Sequence, residues 1–370
     1  MIILGITFIV LLAIGLPVAF TVGLSALAFF VTEQVPVQIV VQKMVSSTQS
    51  FSLLAVPFFV LAGNLMNETG ITSRLIKFCN LVTGHMRGGL AQVSVLLSCL
   101  MGGISGSATA DAAMESRILG PDMEKRGYSK GFTAAILAMG GLITSTIPPS
   151  LGLILYGVTG EVSIGRLFLA GLVPGILMTI VLMAAVAIIS KKRDYKPEHE
   201  SFPSAGEVLK GLIENIWALL FPVILIVGIR FGIFTPSEAG AFAVVYALVI
   251  GLFVYRELTI SKLIECLSTT AVDLAVIMFI IICSNAFGYA IVTGQLPQTL
   301  AHMITAVSDN KYVILLIVML FVFFVGMFME ATANVLLLTP IFLPIITAYG
   351  FDLSVSFAYQ LGGRILDYTY

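Results

Sequence analysis

Residues 102–111 read GGISGSATAD, in the middle of the apolar run 90–119. Glycine, serine, threonine and aspartate stand there where a spanning helix would carry leucine and isoleucine. The arm from Gln92 to Ser105 rises roughly 20 Å at about 1.5 Å per residue. A hydrocarbon core is about 30 Å thick, so this arm stops part way in. The small residues let the backbone turn, and a second arm, 108–119, returns toward Glu124, Lys125 and Arg126. The stretch reads as a re-entrant hairpin over residues 92–120, its tip near mid-membrane. Bare backbone at that depth is tolerated only where protein buries it or where it lines a polar cavity. A polar tip there marks a candidate binding site.

The rest of the chain agrees with a membrane setting. Of 370 residues, 58% are hydrophobic and 11% charged, against about 25% charged in an average soluble domain. Mean hydropathy is +1.06. This composition specifies an all-α polytopic membrane protein. The net charge of −1 gives no reason to expect nucleic acid. The opening MIILGITFIVLLAIG has no basic leader region and no small-residue cleavage site, so it reads as a first spanning helix. Cys79, Cys99, Cys266 and Cys283 have no CxxC spacing and read as core thiols. His85, His199 and His302 are isolated in sequence and suggest no histidine-based metal site.

Taken in order, apolar stretches cover 2–14, 16–31 and 51–66. Pro57 in the third reads as a kink or as an element start. Residues 71–84 mix Arg74 and Lys77 with Leu75, Ile76 and Phe78, an amphipathic pattern expected at the interface. A span at 131–156 follows the hairpin, then another at 164–190. The only long polar segment, KKRDYKPEHESFPSAG at 191–206, separates two halves. The expected division is a first repeat over 1–190, a cytoplasmic linker over 191–211 and a second repeat over 212–370. Further spans fall at 216–229, 239–255 and 271–291. A second apolar run opens at Tyr312 and is interrupted by Glu330, Thr332 and Asn334, giving a second re-entrant hairpin over 312–345. Thr235-Pro236-Ser237-Glu238 reads as a helix start, with Thr235 and Glu238 as a capping box.

Basic residues set the orientation. Arg74, Lys77 and Arg87, then Lys125, Arg126 and Lys130, then Lys191, Lys192 and Arg193 fall on one side once the spans are threaded. That side is assigned to the cytoplasm. The first hairpin then enters from the cytoplasm and the second from the opposite face. The two also share sequence. Ser107-Ala108-Thr109-Ala110-Asp111 and Glu330-Ala331-Thr332-Ala333-Asn334 both read x-A-T-A-[DN], 223 positions apart (107 to 330). Gly103 pairs with Gly326 and Pro121 with Pro344 at the same spacing. Inverted repeats of this kind belong to secondary transporters, whose sites lie at the repeat interface.

A helix break follows the first hairpin, within an expected broken helix over 131–158. Pro148 and Pro149 lack N–H groups, so carbonyls about one turn upstream lose their partners. With the Thr144 and Ser145 hydroxyls these carbonyls form an oxygen-rich patch. Facing Ser105, Ser107 and Thr109, it would make a small neutral cage of the kind that suits Na⁺. The other reading is a proline kink whose Ser and Thr bond back to their own helix. Asp111 reads either as an acceptor for N–H groups at the tip or as a holder of a cation or proton. Glu330 reads as a coupling carboxylate or as a clasp for its hairpin. An intramembrane hydrolase using Ser107 and Asp111 would need a base, and the tip holds no His or Lys. The chain is therefore not expected to be an enzyme.

These residues resemble the large membrane subunit of TRAP transporters, the tripartite ATP-independent periplasmic family. The pieces that carry the resemblance are FSLLAVPFFVLAGNLM at 51–66, SGSATAD at 105–111, PPS at 148–150, GIFTPSEAGAFAVVYAL at 232–248 and GMFME…LLLTPIFLPI within 326–345. The resemblance implies an elevator-type, Na⁺-coupled importer of small organic acids such as dicarboxylates, sialic acid or sugar acids. It implies a bacterial inner-membrane location, a small membrane subunit as partner and a periplasmic substrate-binding protein. Carried over, the first sodium site falls on Ser105, Ser107, Gly141, Thr144 and Ile147. Thr332 and Asn334 form half of a second. Thr109, Asp111, Ser150 and Glu330 are expected nearest the substrate. A transporter or antiporter of the same superfamily working without a binding protein is the alternative. The end of the chain, LSVSFAYQLGGRILDYTY, does not resemble the family tail, and the second repeat is expected to be incomplete through truncation or a frame shift.

Overall fold

A computed structural model describes residues 1–104, 106–199, 201–307, 310–327, 329 and 331–351. Every regular element among the described residues is helical. In chain order these are α1 (Ile2–Ala13), α2 (Val18–Thr32), α3 (Val37–Ser46), α4 (Ala55–Glu68), α5 (Ile71–Thr83), α6 (Gly89–Gly102), α7 (Ala108–Ile118), α8 (Gly120–Lys125) and α9 (Lys130–Thr146). Then come α10 (Leu151–Thr159), α11 (Ile164–Arg193), α12 (Ala205–Glu214), α13 (Ile216–Arg230), α14 (Pro236–Val249), α15 (Ile260–Thr293), α16 (Leu296–Val307), α17 (Lys311–Gly326) and α18 (Ala331–Ala348). Among the described residues, five helices are long and apolar enough to cross a bilayer, and two bent pairs reach that length together. The chain forms two compact units.

One unit comprises Met1–Leu54, Ile154–Leu167 and the described residues from Ala271 onward. In it α1 and α2 turn back on each other at Gly15, whose φ of +87° only glycine adopts without strain. Val22, Ala26, Phe29, Cys283, Phe287 and Leu337 share one apolar cluster in it. The arms α17 and α18 pack through Ile314, Val318, Val322, Leu338 and Phe342. An apolar seam thus joins these two helices.

The other unit comprises Ala55–Leu153 and Phe168–Thr270. Three loops with basic flanks are knitted together in it. Gly88 donates its N–H to the Tyr195 carbonyl at 3.2 Å, and Glu198 donates to the Gly84 carbonyl at 2.7 Å. Arg126 pairs with Glu198 at 2.5 Å, and Arg193 donates to the Ser129 hydroxyl at 3.0 Å. Tyr195 stacks on Tyr128 with ring centres 4.4 Å apart. These contacts hold the three loops together on one face of this unit.

Some local expectations change. The polar linker is shorter than 191–211, because α11 runs through Arg193 and α12 begins at Ala205, capped by Ser204 and Glu207. Pro57 lies in the first turn of α4, where a missing N–H costs nothing, so it marks an element start. The apolar stripe of α5 (Ile71, Leu75, Cys79) is buried against protein, and α6 is among its neighbours. Its Arg74 reaches Glu257 at 2.7 Å. The capping box at α14 is present: the Thr235 N–H and hydroxyl donate to the Glu238 carboxylate, each at 2.7 Å, and Glu238 N–H returns to Thr235 Oγ1 at 3.4 Å. Thr235→Ala should lower the thermal unfolding midpoint of the detergent-solubilised chain by a few degrees, while Thr235→Ser should preserve it.

Candidate functional site

The first hairpin turns between α6 and α7. Ser107, extended at φ −116°, ψ 111°, caps α7 by accepting from the Ala110 N–H at 3.4 Å. Asp111 lies in the first turn and is 1% exposed, close to the positive end of the helix dipole. Thr109 stands on the exposed side of α7, away from Asp111. Ser105 and Glu330 lie outside the described residues.

The break expected at Pro148–Pro149 is present. Helix α9 ends at Thr146, Ile147 is extended, the Pro148–Pro149 bond is cis, and α10 restarts at Leu151 with a bend of 48°. Pro148 offers no N–H to the Thr144 carbonyl and Pro149 none to that of Ser145. The Ser150 hydroxyl takes over the Ser145 carbonyl at 2.5 Å. Ser145 and Thr146 donate back to the Leu142 carbonyl at 3.0 and 2.8 Å. Thr144 differs: its hydroxyl donates across to the Ser98 carbonyl of α6 at 3.0 Å. A hydroxyl that donates its hydrogen keeps its lone pairs, so these oxygens can still face a cation.

Glycines bring the tip and the break into contact. A Cβ on Gly102 would sit 2.7 Å from Ile147 Cβ and 3.2 Å from the Thr144 carbonyl oxygen. One on Gly141 would sit 2.7 Å from the Ala108 carbonyl oxygen. Gly106, at φ +60°, has the Pro149 carbonyl oxygen 2.5 Å from where its Cβ would be. Its own carbonyl accepts from the Leu151 N–H at 3.3 Å. Ser107, Gly141, Thr144, Ile147 and Ser150 are thus gathered around one tip-to-break contact.

A buried carboxyl beneath this contact has no counterpart among the residues singled out in the sequence. Glu115 is 1% exposed and accepts from Ser94 at 2.5 Å and from Ser98 at 2.7 Å. A Cβ on Gly140 would press on the Ser98 hydroxyl. Glu115 ties the two arms together, since a buried carboxyl is tolerated only when hydrogen-bonded. The available signal was its place one turn after Asp111, on the same face of α7.

In the second hairpin Thr332 and Asn334 lie at the start of α18. Asn334 is 2% exposed, and its side-chain oxygen and nitrogen have no hydrogen-bond partner among the described residues. Among the described residues, no three or more His, Cys, Asp or Glu are grouped to hold a metal ion.

The family model described as "Tripartite ATP-independent periplasmic transporter, DctM component" matches residues 5–359. The chain is 41% identical to the sialic acid TRAP transporter large permease protein SiaM of Vibrio cholerae, over 92% of this chain and 80% of that one. It is 36% identical to the 2,3-diketo-L-gulonate TRAP transporter large permease protein YiaN of Escherichia coli, over 92% and 80%. It is 37% identical to the C4-dicarboxylate TRAP transporter large permease protein DctM of Pseudomonas aeruginosa, over 84% and 72%. The YdaH transporter of Alcanivorax borkumensis shares the fold, with a TM-score of 0.63 at 15% identity, over 88% of this chain and 76% of that one. The chain belongs to the DctM-component family of TRAP transporters, multi-pass permease proteins of the bacterial inner membrane.

Proposed function

We propose that this chain is the large permease subunit of a sodium-coupled, binding-protein-dependent importer of small organic acids. Its partners in this reading are a small membrane subunit and a periplasmic binding protein. The observation that carries the reading is the seating of the hairpin tip 106–108 on the break at 147–151. There the Thr144 carbonyl has lost its helical donor, while the Thr144 hydroxyl bridges to the hairpin. Sodium held among Ser105, Ser107, Gly141, Thr144 and Ile147 would draw tip and break together. The amino end of α7 would then present N–H groups to a carboxylate, with Asp111, Thr109 and Ser150 nearby. Thr332 and Asn334 play the matching part in the second hairpin, and the Asn334 amide, which has no hydrogen-bond partner among the described residues, supports a ligand there. Glu330 is assigned to the substrate side of that tip. Movement of the hairpins and broken helices as one body, elevator fashion, completes the proposal.

The test is uptake by the full-length chain produced with both partners, using the acid that raises the melting temperature of the binding protein. Thr144→Val should raise the half-saturating Na⁺ concentration about tenfold, the effect of one lost polar contact. Unchanged sodium dependence would remove the first site. Gly141→Ala should abolish uptake while the chain still reaches the membrane at normal levels, because its Cβ cannot share space with the Ala108 carbonyl. Uptake that persists without the binding protein would favour a transporter working alone.

A further inference from the structure

The first compact unit holds a cleft of about 480 Å³ that none of these assignments uses. Its walls come from α3 and the residues up to Ser50, the end of α10 and the turn after it, and α15 and α18. Helix α15 contributes Ser284, Asn285, Gly288 and Tyr289, a spacing that keeps all four on one side of the helix. The helix is otherwise a strongly apolar span, so a polar stripe on it needs an explanation.

Ser284 sharpens the point. Other helical hydroxyls here donate to the carbonyl one turn back, as Ser25 does to Thr21, Thr83 to Cys79 and Thr339 to Val335. The Ser284 hydroxyl is buried, lines the cleft and has no hydrogen-bond partner among the described residues. Asn285 beside it is exposed. A buried hydroxyl left so is unfavourable unless water or a ligand reaches it.

Two charges flank this stripe. The Lys43 ammonium lies 5.3 Å from the centre of the Tyr289 ring, and Glu161 stands in the turn between α10 and α11. Helix α11 has 30 residues, roughly 45 Å at about 1.5 Å each, and ends at the basic Lys191–Arg193. Its other end, next to Glu161, is the end away from Lys191–Arg193, the outer one by the distribution of positive charge.

We propose that this cleft is a water-filled vestibule on that outer face which takes a small monocarboxylate bearing several hydroxyls. Its carboxylate sits at Lys43, and its hydroxyls at Glu161, Ser284 and Asn285. A compact dicarboxylate fits less well, because it would bring two negative charges to one ammonium and one like charge. The assignment rests on the transporter reading and narrows its substrate class to sugar-acid-like ligands.

The experiment is thiol labelling of Asn285→Cys in the full-length chain, in intact cells whose outer face alone is exposed to reagent. The unsubstituted chain, whose Cys283 is buried, serves as control. An anionic methanethiosulfonate should modify the variant. Adding Lys43→Gln should slow that reaction about fivefold and Glu161→Gln should speed it similarly, the scale of one nearby charge in water; a cationic reagent should show the reverse. Gluconate should protect and succinate should not. No reaction with either reagent, or rates indifferent to Lys43 and Glu161, would overturn the vestibule. Protection by succinate alone, or by neither acid, would overturn the ligand class. Ser284→Cys repeats the test if Asn285→Cys fails to accumulate. Labelling requires neither sodium-driven uptake nor the binding protein, so its failure and that of the transport reading are separable.

Discussion

The polypeptide backbone cannot be left bare in hydrocarbon, and the first hairpin depends on how that demand is met. Its tip is too short of side chain to shield itself. Gly102, Gly106 and Gly141 remove the Cβ atoms that would hold tip and break apart. Thr144 and Leu151 then bond across the gap, to Ser98 and Gly106. Two irregular segments, each untenable alone in lipid, cover one another. Polar groups are thereby left next to a gap in a helix, the arrangement from which an ion site can be made.

How much of this is legible in the sequence depends on the range of the interaction. The hairpin can be read because small and polar residues interrupt an apolar run at a fixed depth. The break can be read because two adjacent prolines remove two N–H groups. The box at Thr235 and Glu238 is local and reads directly. What escapes is set by neighbours far along the chain. Nothing near Glu115 announces that Ser94 and Ser98 will clasp it. Residues 71–84 look interfacial because their pattern cannot say whether protein or lipid covers the apolar stripe. Around the break, Ser150 takes the Ser145 carbonyl left by Pro149, Ser145 and Thr146 bond back to Leu142, and Thr144 alone reaches out to the hairpin. Residue type does not separate these four hydroxyls; position on the helix does.

Sequence symmetry and compactness divide the chain in different ways. The x-A-T-A-[DN] signature pairs one tip with the other across the polar linker. Each compact unit, by contrast, collects segments from both sides of that linker. The two descriptions answer different questions, one about duplication and the other about which helices share a core.

Helix α11 closes the other side of the break. A Cβ on Gly171 would sit 2.6 Å from the Thr146 carbonyl oxygen, and one on Gly175 would collide with Ile147. The break is therefore gripped between hairpin glycines on one flank and α11 glycines on the other. A displacement that preserves these grips must carry the middle of α11 along with it. Any such displacement would then involve three layers: the hairpin, the break and the middle of α11.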